Sequence, residues 1–185
     1  MATVNLKKAE NHSAEASSMD QLITRLLNID WYVKAGQKDF DTEKKLETFM
    51  STIGVKDYEV RWLSKEQLPH VIQHLTFEGS ALWPKLKELP DFLNEKIVRD
   101  ENEAILADMV DRVPEAVFHG VYKQAYALVK EEKAVKFLVG HALYISILAC
   151  TAELAGETKL FSSLIDIVEE GHLPLGPEGN IFYLL

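Results

Sequence analysis

Apolar residues recur at three- and four-residue spacing over most of the chain, and the breaks in that rhythm divide it into elements. Ser18, with Gln21 three residues on, fits a capping box. Behind it Leu22, Leu26, Ile29 and Val33 keep helical spacing as far as Gly36, which suits the left-handed residue past a helix end. Asp41 caps a second helix whose Leu46, Phe49, Met50 and Ile53 form one apolar stripe, with Gly54 after it, so the two make a helical hairpin. At Tyr58 the period changes to two: Tyr58, Val60 and Trp62 alternate with Glu59 and Arg61, as in a short strand. Ser64, Glu66, Gln67 and Pro69 then open a helix with Val71, Ile72 and Leu75 as its apolar face and Gly79 as its end. Residues 79–90, with Trp83, Pro84 and Leu86, read as a turn with a short helical piece, since proline suits a first helical position.

Phe92, Ile97, Ile105, Leu106, Met109, Val110 and Val113 carry the next helical pattern, broken near Asp100, which with Glu103 resembles another capping box. Pro114 starts a further helix, with Val117, Val121, Ala125, Leu128 and Val129 along one side. Residues 136–155 are apolar on most sides, the pattern of a central buried helix, and Gly156 closes it. Thr158 caps the last helix, with Leu160, Phe161, Leu164, Ile165 and Val168 inward and Gly171 past its end. In the tail, Pro174, Gly176, Pro177 and Gly179 are turn formers, and residues 181–185 are an apolar run with strand character. Leaving five such side chains in water forfeits on the order of several kcal/mol of burial, so the run is expected to pack on the domain. Residues 58–63 are the segment with which it can pair.

These elements predict an all-α protein, a compact single domain of six to eight helices that allows a minor two-stranded β patch. Residues 1–16 form a polar leader, and residues 17–185 the helical domain, with the apolar tail over 172–185. The length of 185 residues suits one such domain. There is no repeat of fixed period and no linker long enough to divide the chain.

Charge narrows the function classes. The formal net charge is −9, which disfavours nucleic acid and anionic membrane surfaces as partners. The acid is concentrated: residues 88–115 hold nine acids against Lys96, Arg99 and Arg112. One cysteine, Cys150, excludes an internal disulfide and suits a reducing compartment, and the first residues lack the apolar segment of a secretory signal, so a cytoplasmic location is expected. The longest uncharged run, residues 137–152, is short of the roughly 20 residues that span a bilayer. Phosphate-binding glycine loops, a serine-hydrolase elbow and the H-E-x-x-H zinc motif are all missing from the sequence.

Three readings of function follow. The leading one is a protein without a catalytic site that binds another, basic protein through its acidic segment, with Asp100, Glu101 and Glu103 steering and Trp83 or Phe92 anchoring. The alternative is a metal-dependent helical enzyme or sensor that uses one divalent metal; otherwise no cofactor is expected. His70 and His74 are one helical turn apart, Glu78 extends the line, and His119 would supply a ligand from another helix. A solvated histidine face competes with that reading. The third is a small-molecule binder with an apolar cavity around His141 and Tyr144. Cys150 is expected to be buried and unreactive, and His172 to cap the helix before it as a protonated imidazole.

Overall fold

The structure, a computed structural model, describes residues 19–75 and 83–185. Expectations placed on the leader, Ser18, Glu78 and Gly79 lie outside the described residues. In chain order the described elements are α1 (residues 19–27), α2 (Phe40–Thr52), β1 (Glu59–Trp62), α3 (Leu68–Val71) and α4 (Trp83–Arg99). They continue with α5 (Glu103–Leu128), α6 (Glu132–Leu154), α7 (Thr158–Glu169), β2 (Pro174–Glu178) and β3 (Ile181–Leu184). The fold is the mostly helical one that the periodicity predicts, with a small sheet.

Helix α6 lies at its centre. It packs most extensively on α5 and also touches α3, α4 and α7, while α2 packs on α7. Its buried residues, among them Ala134, Leu138, Ala142, Ile145, Ala149 and Cys150, point to several sides because other elements surround it. The two buried hydroxyls are satisfied within the helix: Ser146 donates to the Ala142 carbonyl and Thr151 to that of Ile147, both at 2.8 Å. Among the described residues α6 alone is long and apolar enough to cross a membrane, and 61% of its most apolar stretch is buried inside the fold.

The tail pairs with residues 59–62 as the sequence allows, and adds a third strand. The order is β1-β3-β2, with β3 parallel to β1 and antiparallel to β2. Phe182 stands opposite Val60, and Leu184 opposite Trp62. β2 was read as turn because of its prolines. As an edge strand it tolerates them, and its register shifts between Pro174 and Gly176 where a bulge interrupts the ladder.

Several boundaries differ from the periodicity, among them the expected caps Asp100 and Thr158, where Asn102 and Glu157 precede the helices instead. α1 ends at residue 27, and Val33 is exposed. The chain then turns through Tyr32 at φ 66°, a left-handed conformation offset by burial of the ring and by the phenol donating to the Leu138 carbonyl at 3.0 Å. The cap of α2 is Asp39, whose carboxylate accepts from the Asp41 amide at 3.0 Å. Trp83 and Pro84 open α4 itself and do not form a separate turn, and Pro90 sits inside that helix. Pro114 likewise lies within a continuous α5, whose buried Met109, Val113, Val117 and Val121 span the proline and outweigh its cost of about 3 kcal/mol.

Gly171 joins α7 to the sheet at φ 89°, and a Cβ there would stand 2.2 Å from the Val33 side chain. Its carbonyl accepts from the Lys34 amide at 3.0 Å, which ties the turn after α1 to the C-terminal strands. Since β3 is the central strand and Leu184 is fully buried, Leu184→Ala is expected to cost about 2–5 kcal/mol and lower Tm by roughly 5–15 °C. An unchanged thermal melt would show that the tail contributes nothing to the fold.

Candidate functional site

The seven-residue rhythm that buries most of α6 leaves one of its faces against open space. Lys136, Phe137, Gly140, His141, Tyr144, Ile145 and Leu148 are three and four apart and so share one side of the helix. Together they form one wall of a cavity of about 440 Å³. Phe161 and Leu164 of α7 and Phe49 of α2 close it opposite, with the Phe49 and Phe161 rings in tilted contact at 5.7 Å. Leu86 and Leu89 of α4 form a lip, and Pro174, Gly176 and Pro177 of β2 with Phe182 of β3 supply the remaining wall. A strand rich in proline suits this position, because on that side it has fewer amide donors to leave unpaired.

His141 joins two of the walls. Its Nε2 lies 2.5 Å from the Pro174 carbonyl, so that nitrogen carries the proton and donates, and Nδ1 is the ring's remaining acceptor. Phe137 lies parallel to the imidazole at 5.8 Å, and Tyr144 is tilted at 6.5 Å. His141 is half-buried, and burial lowers its pKa to about 4 against the opposing effect of the Pro174 bond. The imidazole is therefore neutral near pH 7, as expected for a histidine in an apolar helix. Tyr144 is 46% exposed, and its phenol is raised above the ordinary value by burial. Among the described lining residues Lys136 is the only charged side chain; it stands mostly in water and pairs with Glu132 at 2.6 Å. No carboxylate or thiol of the described residues faces the cavity.

The residues of the other two readings lie elsewhere. Phe92 is 46% exposed, with Lys96 over its ring at 5.8 Å, and Asp100, Glu101 and Glu103 are exposed where α4 gives way to α5. The side chain of Trp83 lies outside what is described. His70 and His74 are both exposed with ring centres 5.0 Å apart, but α3 is a single turn rather than the long helix that would align Glu78 with them. His119 is exposed on α5 and meets Phe118 edge to face at 5.7 Å. Among the described residues no three His, Cys, Asp or Glu side chains converge as a metal would require.

Two single residues can also be placed. Cys150 is buried, and burial pushes its thiol up to about 12, so it is not a nucleophile near neutral pH. His172 departs from the expected protonated cap. It is 1% exposed, packs edge to face on Trp62 at 5.2 Å, and among the described residues has no hydrogen-bond partner on either ring nitrogen. Burial lowers its pKa, with Asp39 3.8 Å away acting in the opposite sense.

The cavity residues follow a signal that sequence reading catches only in part. Residues 137–148 were visible as an apolar stretch containing His141 and Tyr144. Phe49, Leu86, Phe161 and Pro177 carry no mark that distinguishes a cavity wall from a packed core. No protein-family model, curated protein or solved structure matches the chain. The geometry alone therefore carries the functional argument.

The His141 pKa sets a pH dependence. In the unfolded chain the ring takes a proton near 6.5, whereas in the folded chain it resists protonation down to about 4, so stability falls as pH drops through that window. Between pH 7.5 and 5 this contributes a loss of about 2 kcal/mol. His141→Gln, which keeps a neutral donor, is expected to show that much less acid sensitivity in urea unfolding. Equal losses in both proteins would mean that the imidazole titrates as if in water.

Proposed function

We propose that the chain binds a small, mainly apolar molecule in the cavity beside α6 and acts as its carrier or sensor. The observation that carries this reading is the cavity itself. A pocket of about 440 Å³ opens beside the most buried helix of the fold, walled by α2, α4, α6, α7 and the C-terminal strands. That volume falls in the range of small-molecule sites and is about three times that of a cavity able to hold benzene. The lining is aliphatic and aromatic, with a few polar atoms at defined places: the His141 ring, the Tyr144 hydroxyl and the Lys136 ammonium. A molecule that fills it removes apolar surface from water at about 25 cal/mol per Å². With no carboxylate or thiol in the lining among the described residues, the groups present suit retention of a ligand better than acid–base chemistry.

The exposed Phe92 with Asp100, Glu101 and Glu103 supports a second role on a separate surface, the docking of a basic protein partner. Such docking is expected to weaken as salt rises, measured by affinity at two ionic strengths. Affinity independent of salt would contradict it.

Gly140 provides a test of the cavity that spares the fold. It lies in the wall, and a Cβ added there meets nothing within 4 Å. Gly140→Phe is expected to occupy the cavity and weaken binding of the neutral fluorophore phenylnaphthylamine by tenfold or more. Tm should hold or rise, because a glycine within a helix costs about 0.5–1 kcal/mol relative to alanine. Equal binding by both proteins would refute the cavity as the site.

A further inference from the structure

We infer that the molecule held in this cavity is an amphiphile with a single anionic head, of the monocarboxylate class, its chain inside and its head at Lys136. The inference rests on the cavity reading and adds the chemistry of the ligand. The described interior offers no compensation for an ion: the His141 Nε2 proton is given to the Pro174 carbonyl, and among the described residues no other ionisable group except Tyr144 and Lys136 reaches the lining. Any charge on the ligand therefore stays at the mouth, since an ion carried inside unpaired is strongly penalised. At the mouth stands Lys136, with a side chain 73% exposed and paired with the exposed Glu132 at 2.6 Å.

Among the described lining residues Lys136 is the one cation that an anionic head can meet. A carboxylate placed there replaces the exposed Glu132 as partner of Lys136, and the flexible lysine stem can follow it while its methylenes cover the ligand's first carbons. Volume limits the chain. If a space of about 150 Å³ holds the six carbons of benzene, the cavity accepts roughly eighteen carbons at most, and a ten-carbon chain fits with room to bend.

The test compares three ten-carbon probes by calorimetry on the full chain: decanoate, decanol and decyltrimethylammonium. Decanoate is expected to bind about five-fold tighter than decanol at low salt, the effect of one partly exposed ion pair, and the cationic probe weakest of the three. Lys136→Met should erase the preference for decanoate over decanol, and Lys136→Glu should reverse the order of the charged probes. Equal binding of decanoate and decanol, unaltered in both variants, would overturn the head-group inference and leave the cavity reading intact. Failure of all three probes, with phenylnaphthylamine also unbound, would remove the cavity reading and this inference with it.

Discussion

Helix α6 sets the constraint that the remainder of the chain satisfies. Its 23 residues are apolar on so many sides that no single neighbour can cover them, and water has to be kept from each side by a different element. α5 takes the longest face. α3, α4 and α7 take others, and the C-terminal strands close the remaining side through the bond from His141 to the Pro174 carbonyl. The fold is thus a set of shields around one helix, and the cavity is where the shields do not quite meet.

That geometry explains why the candidate site has the character it has. Walls made to cover an apolar helix are themselves apolar, so a space left between them is apolar without any further selection of residues. Polarity enters only where the helix reaches the surface, at Lys136 and Tyr144, and at His141, where a side chain is needed to hold the edge strand in place. His141 belongs both to the structure and to the site. Its neutral state follows from the same burial that makes the cavity suited to apolar ligands.

Much of the architecture was legible because it depends on local periodicity. The alternation of Tyr58, Val60 and Trp62 and the apolar tail were enough to anticipate a paired strand, and the unbroken apolar stretch around Leu143 marked the central helix. What was not legible depends on contacts distant in sequence. Pro114 looks like a helix start until α6 is seen to hold both halves of α5 straight. Pro174 and Pro177 look like a turn until β3 gives them an edge to occupy. His172 looks like a cap until Trp62 and the turn near Asp39 bury it. Similarly, the cavity joins Phe49, Leu86, Phe161 and Pro177, residues far apart in the chain whose shared wall has no linear pattern. His141 and Tyr144 were legible as a candidate pocket because they interrupt an otherwise aliphatic helix.

The central claim is that the space beside α6 persists in solution as an apolar, accessible cavity. A crystal structure under xenon pressure tests this most directly, since xenon enters dry apolar cavities and scatters strongly. Xenon is expected between Phe137, Leu148 and Phe161. A structure in which Leu86 and Tyr144 have closed onto α7, leaving no volume for a xenon atom, would contradict it.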